Sequence, residues 1–166
     1  MSADTTRIEA ARAFRTGYRQ QQLGRTKHAV HHYRRSIELL PTAEAYTYLG
    51  WAYSHLGQYG RAINACRQAI SLDPTLGNPY NDIGAYLIEL GRAEEAVGWL
   101  QKALEAPRYE TYCYPHFNLG RANELLGSPD AAARSYRRAL DVDPTFMPAR
   151  LALQRLGGPV GSSGGG

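Results

Sequence analysis

Cysteine is scarce: the 166 residues contain two, Cys66 and Cys113. They are too few and too far apart for a disulfide framework or a four-cysteine metal site. Cys66 falls on an apolar helical pattern and is expected to be a small core residue, whereas Cys113 lies at a junction between segments and is expected to be more exposed. Long apolar runs are also missing. None approaches the roughly 18 residues that a membrane-spanning helix needs, and Met1-Ser2-Ala3-Asp4 lacks the basic and apolar segments of a secretory leader, so the expected location is cytoplasmic. The chain has no G-x-S-x-G elbow, no phosphate-binding glycine loop and no C-x-x-C pair. His28, His31 and His32 fall on one predicted helix, and His28 with His32 has the i, i+4 spacing of a metal pair. No acidic or cysteine partner stands at ligand spacing nearby, so neither a metal nor a cofactor is expected. His55 and His116 have no nucleophile beside them. The basic residues and tyrosines of the first segment form one short cluster without a recognised nucleic-acid module, and no nucleic-acid partner is expected. These absences argue against an enzyme.

What the chain has in quantity is a repeated pattern. Residues 43 to 76 form a unit of 34 residues. Tyr46, Leu49, Gly50, Tyr53 and Leu56 recur at steps of three and four, and Ala62, Cys66, Ala69 and Ile70 do so further on, which predicts two amphipathic helices. Gly57 closes the first, and Asp73-Pro74 prevents extension of the second. Gly50 is the sharpest local signal, because glycine inside a helix costs about 1 kcal/mol relative to alanine. Gly17, Gly50, Gly84 and Gly120 stand at steps of 33, 34 and 36, each followed twelve residues later by alanine: Ala29, Ala62, Ala96 and Ala132. Ser36, Ala69, Ala103 and Ala139 form a third small-residue set. Paired small residues allow two helices to cross closely, and one such crossing is expected in every unit.

On these residues the chain resembles the tetratricopeptide repeat family, whose signature runs aromatic, Leu-Gly, aromatic, Ala, aromatic, Ala, Pro. Residues 43–76 read Tyr46, Leu49-Gly50, Tyr53, Ala62, Cys66, Ala69, Pro74, and 34 residues is the period of that repeat. The resemblance implies an all-α fold, a right-handed α-solenoid of antiparallel helix pairs. Four units are read, 10–42, 43–76, 77–112 and 113–146, followed by a capping helix at 147–156 that covers the last apolar face. The domain is thus 1–156, and the glycine- and serine-rich tail 157–166 is expected to be a mobile linker without a role in function.

Within this frame, Thr6-Arg7-Ile8-Glu9 reads as a capping box that starts the first helix near Arg7. Ser128-Pro129-Asp130 reads as cap, first helical residue and acidic first turn of the last paired helix. Between the third and fourth units the segment 106–115 breaks the period by two residues, and Arg108 stands where the other units keep proline. A longer, structured turn is expected there.

The face of each first helix opposite its core stripe is the candidate for function. At 100° per residue, Thr47, Trp51 and Ser54 point away from Tyr46, Leu49, Gly50 and Tyr53. The resemblance implies that first helices line a concave groove that receives a peptide or helix. The matching columns hold Phe14, Tyr18, Thr47, Trp51, Ser54, Asn81, Ile88, Phe117 and Arg121, with Gln21, Ala85 and Glu124 alongside. Trp51 and Tyr18 are the expected anchors, and Asn81, Asn118 and Arg121 the expected hydrogen-bonding groups. The family subtype that clamps chaperone C-terminal carboxylates carries Lys and Asn where this chain has Phe14 and Tyr18, so that clamp is not expected.

The expected function is a non-enzymatic adaptor or scaffold that binds a segment of another protein. Self-association is the alternative, because charge is uneven. The first 42 residues hold eight basic residues against three acidic ones, and the third unit holds three against six. A basic end could meet an acidic middle on a second copy.

Overall fold

The computed structural model describes residues 2–157, in which nine α-helices follow one another. They are α1 (Ala3–Gln22), α2 (Thr26–Leu39), α3 (Ala43–His55), α4 (Tyr59–Leu72), α5 (Asn78–Glu89), α6 (Ala93–Glu105), α7 (Cys113–Leu125), α8 (Pro129–Val142) and α9 (Met147–Arg155). Each helix packs on the next, and α1, α3, α5 and α7 also touch in succession. The odd-numbered helices therefore build one surface of a stack and the even-numbered helices the other. The predicted tail beyond Gly157 lies outside the described residues.

The stack is built on the small-residue register. Ala29, Ala62, Ala96 and Ala132 are fully buried, as are Ala69, Ala103 and Ala139. Ser36, the polar member, is buried as well, and its hydroxyl donates to the Ala10 carbonyl at 2.9 Å. Opposite the four glycines stand Tyr33, Cys66, Leu100 and Tyr136, all fully buried. A Cβ added at Gly84 would sit 2.5 Å from both Cγ and Cδ2 of Leu100. The helix crossing, rather than backbone conformation, requires glycine here. Gly84→Ala is expected to lower stability by about 1–2 kcal/mol, because overpacking outweighs the gain in helix propensity. Urea unfolding checks this, and a variant as stable as the native chain contradicts the close crossing.

The odd-numbered helices end on a second kind of glycine. Gly24, Gly57, Gly91 and Gly127 adopt φ between 70° and 74°, where a side chain is disfavoured, and reverse the chain into the partner helix. The apolar residues then gather into three clusters along the stack, around Tyr33 and Leu49, around Cys66, Ile83 and Leu100, and around Tyr136, Phe146 and Leu153.

Three sequence expectations are corrected. The first helix starts at Ala3 rather than Arg7: Ser2 Oγ accepts the Thr5 amide at 3.2 Å, while the Thr6 hydroxyl donates to the Ser2 carbonyl. Asp4 suits the positive end of the helix dipole, so nothing stops the helix one turn upstream of the predicted box. Ser128 precedes α8, yet its side chain makes no capping hydrogen bond. Cys113 is buried, 5% exposed, because it faces Tyr136 and Phe146 in the C-terminal cluster.

The irregular junction is structured as expected. Arg108 and Leu76 form a short parallel bridge, with the Arg108 amide donating to the Thr75 carbonyl and the Gly77 amide donating to the Arg108 carbonyl, both at 3.1 Å. The Arg108 guanidinium pairs with Asp73 and reaches Glu44 at 3.7 Å. The Tyr109 ring closes over Gly77.

Candidate groove site

Helix α3 is packed on more than one side. Ala43, Ala45, Thr47, Leu49, Gly50 and Ala52 are all buried; Tyr46, Tyr48, Trp51, Tyr53 and Ser54 are half-buried, Glu44 and His55 are exposed, and Tyr48, Trp51 and His55 form one strip among them. On this strip the rings meet edge to face. Tyr48 lies 5.1 Å from Phe14, 5.8 Å from Tyr18 and 6.0 Å from Trp51, and Trp51 lies 5.1 Å from His55. Such tilted pairs are favourable beyond the area they bury. Tyr18 is 43% exposed at one end of the row.

Beside the row opens a recess of about 580 Å³. Glu44, Tyr48 and Trp51 of α3 form one wall, Asn78 and Asp82 of α5 the opposite side, and Tyr114 of α7 one end. Asp82 is its most unusual group. Burial pushes its carboxyl up to about 7, partly opposed by a hydrogen bond from Asn81. That bond, from Asn81 Nδ2 to Asp82 Oδ1, is long at 3.4 Å. Burial also raises the Tyr48 hydroxyl, with Tyr18 and Asp82 adding to the effect.

From Asp82 a polar chain runs along α5 and α7. Asn118 Nδ2 donates to Asn81 Oδ1 at 3.0 Å, Arg121 donates to Asn118 Oδ1 at 3.3 Å, and Arg121 pairs with Glu89. Asn81 and Asn118 are buried and satisfied by one another and their neighbours, which makes them part of the contact between α5 and α7. Thr47 is buried too, its hydroxyl donating to the Ala43 carbonyl at 2.8 Å, and so is Ile88.

The residues expected on one face are therefore divided. Trp51 and Thr47 belong to the recess around Asp82, together with Tyr48, Asn78 and Tyr114. Ile88, Phe117, Arg121 and Glu124 line a second recess of about 540 Å³, which α9 closes. There Arg155 donates to both Glu124 oxygens at 2.7 Å, and the Tyr136 hydroxyl donates to the same carboxylate. The Arg155 hydrogen bonds hold the Glu124 carboxyl below its usual range. Phe14 packs on Tyr33 and Tyr48, and Ser54 donates to the Trp51 carbonyl at 2.7 Å beside a shallower depression at Tyr86. Tyr48, Asp82 and Tyr114 are additions that the column reading omitted. The signal for the first two was present, since both precede the register glycines Gly50 and Gly84 by two residues.

Among the described residues, no group of three or more His, Cys, Asp or Glu side chains is placed to hold a metal ion. No described helix is long and apolar enough to cross a membrane.

Residues 43–76, 80–106 and 115–146 each match the tetratricopeptide repeat, together more than half of the chain. The chain belongs to the tetratricopeptide repeat family. Several tetratricopeptide repeats followed by a terminal helix account for the nine described helices, and the all-α solenoid that the resemblance implied is the observed fold. Among curated proteins the chain is similar to DnaJ homolog subfamily C member 7 of Mus musculus, 33% identical over 101 residues. That match takes in 61% of this chain and 20% of the relative. The chain spans about a fifth of the length of the curated relatives it matches. Among solved structures it is similar to PilF of Pseudomonas aeruginosa, with a TM-score of 0.84 at 22% identity, covering 92% of this chain and 69% of that one. YrrB, described as a tetratricopeptide repeat protein with an unusual peptide-binding site, has a TM-score of 0.72 at 18% identity over 87% of this chain and 74% of its own. At these identities the structures establish the fold alone. A tetratricopeptide array is a protein-interaction scaffold, and this chain is one.

Proposed function

We propose that the chain is a non-enzymatic adaptor whose groove, around Trp51 and between α3, α5 and α7, holds a peptide or helical segment of a partner protein. The observation that carries this reading is the half-open row Tyr18–Tyr48–Trp51 bordering a recess of about 580 Å³. Aromatic side chains held by one another lose little freedom on binding and are favoured as anchors. The peptide-binding site described for YrrB is consistent with such a use of the fold. Phe14 supports the row from below, Tyr18 and Trp51 would touch the ligand, and Arg121, Phe117 and Ile88 would extend the contact into the second recess.

Self-association through charge has less support. Of the acidic residues in the third unit, Asp82 faces the recess, while Glu89 and Glu95 are paired with Arg121 and Arg92. Glu94, Glu105 and Glu110 are exposed and in none of the ion pairs among the described residues, so about half of the unit's acidic residues remain for a second copy.

The test is selection of short peptides from a displayed random library on the intact chain, followed by affinity measurement on Trp51→Ala. Bound peptides are expected to lose at least about tenfold, near 1.4 kcal/mol, on the variant. Peptides held equally by native and Trp51→Ala chains, or no bound peptide at all, would sink the reading.

A further inference from the structure

The Asp82 carboxylate has no cation of its own. Among the described residues the ion pairs engage Glu38, Glu44, Asp73, Glu89, Glu95 and Glu124, and Asp82 is in none of them. Arg108, which reaches the recess residue Glu44, is also paired with Asp73, and Arg121, linked to Asp82 through Asn118 and Asn81, is paired with Glu89. The recess itself contains two acidic residues, Glu44 and Asp82, and no basic one. This stands against a chain whose net charge is +4, so the recess inverts the sign of the molecule locally. A withdrawn carboxylate with a single long hydrogen bond is a costly feature to keep unless something compensates it.

The rings around it have the matching property. The faces of Trp51, Tyr48 and Tyr114 attract cations, most strongly when water is excluded. An acidic ligand group would meet Glu44 and Asp82, and a purely apolar one would leave Asp82 desolvated without a partner. A long aliphatic stem ending in a positive charge satisfies both the aromatic walls and the carboxylate. We propose that the recess bounded by Trp51, Tyr48 and Tyr114 takes one lysine or arginine side chain of the partner segment, whose charge pairs with Asp82.

This rests on the reading of the groove as a segment-binding site and specifies what that segment must carry. It makes Asp82 the specificity-determining residue and Trp51 the anchor. The arrangement differs in sign from a carboxylate clamp: the protein supplies the anion and the ligand the cation.

The experiment is the same displayed-peptide selection, repeated in parallel on the native chain, on Trp51→Ala and on Asp82→Asn. The Asn variant keeps the shape and the contact with Asn81, and its circular dichroism and urea midpoint verify that it folds. Peptides bound in a Trp51-dependent way are expected to share a lysine or arginine at one position. Changing that residue to norleucine is expected to weaken binding to the native chain at least about tenfold and to leave binding to Asp82→Asn nearly unchanged. Trp51-dependent peptides with no basic preference, or with one that persists on Asp82→Asn, overturn this inference and leave the groove reading standing. The absence of any Trp51-dependent peptide overturns both.

Discussion

Tyr136→Ala is expected to destabilise the protein by about 3–5 kcal/mol. The ring is fully buried, stands directly against Gly120 and packs on Phe117 with centroids 5.5 Å apart. Removing it leaves a cavity at the crossing of α7 and α8 that backbone adjustment cannot fill, because Ala132 and Ala139 already bring the helices together. Its hydroxyl donates to Glu124, and Arg155 of α9 binds that same carboxylate through two hydrogen bonds. The terminal helix is thus fastened to the last pair through one acidic residue, and alanine loosens the fastening as well as the core. Tyr136→Phe separates the two contributions: keeping the ring and losing the hydroxyl is expected to cost about 0.5–1.5 kcal/mol. Urea unfolding followed by circular dichroism measures both, and equal losses for the two variants would show that the ring is not the main term.

Asp82→Asn is expected to raise stability at alkaline pH, the reverse of what removing a surface carboxylate usually does. Asp82 accepts from Asn81, interacts electrostatically with Tyr86 of its own helix, Tyr48 of α3, Cys66 of α4 and Tyr109 of the junction, and shares its recess with Glu44; none of these carries positive charge. Its carboxyl titrates at about 7 in the folded chain, against about 3.9 when unfolded. Between those values the folded state binds more protons than the unfolded state, so stability falls as pH rises. The contribution is complete below the unfolded value and lost above the folded one. The full difference corresponds to about 4 kcal/mol, and because the carboxylate borders an open recess we expect about 2–3 kcal/mol. The native chain should therefore lose that much, relative to Asp82→Asn, between about pH 4 and pH 8, as read from urea midpoints at a series of pH values. Parallel pH dependence of the two chains would mean that Asp82 is ionised and solvated like any surface aspartate.

The fold was readable because its requirements fall on single residue types. A helix crossing as close as that of Gly84 on Leu100 favours glycine over any residue with a Cβ, and its recurrence at near-constant steps marks every pair in the stack. The left-handed glycines Gly24, Gly57, Gly91 and Gly127 mark the turns in the same way. The start of α1 was less legible, since Ser2 and Thr6 both have capping chemistry and only tertiary and local hydrogen bonding chooses between them. Cys113 was misjudged because exposure at a junction depends on what folds over it, here Tyr136 and Phe146 from later in the chain.

The candidate site was legible only in part, for a geometric reason. Assigning the face opposite Tyr46, Leu49, Gly50 and Tyr53 treats a helix as having one buried stripe. In a solenoid an inner helix is covered by its own partner and by neighbours on both sides, so Thr47, Asn81 and Ile88 are enclosed between helices. In α3 and α5 the open strip is rotated toward the position two before the register glycine, which holds Tyr48 and Asp82, whereas in α7 that position holds the buried Asn118. Trp51 lies on both faces, which is why it was found. The position of Asp82 two before Gly84 is a sequence signal for where it lies, but nothing in the sequence separates its character from that of an ordinary helical aspartate. Its character comes from the tyrosines that surround it and from the arginines that pair with other carboxylates.

The groove account turns on where a bound segment makes contact, and amide and indole shift mapping of the isotope-labelled intact chain with a selected peptide measures that directly. The largest changes are expected at the Trp51 indole, Tyr48, Asn78, Asp82 and Tyr114, with α2, α4, α6 and α8 unaffected on their outer sides. Changes concentrated on those outer sides, with the Trp51 indole unmoved at saturation, would contradict it.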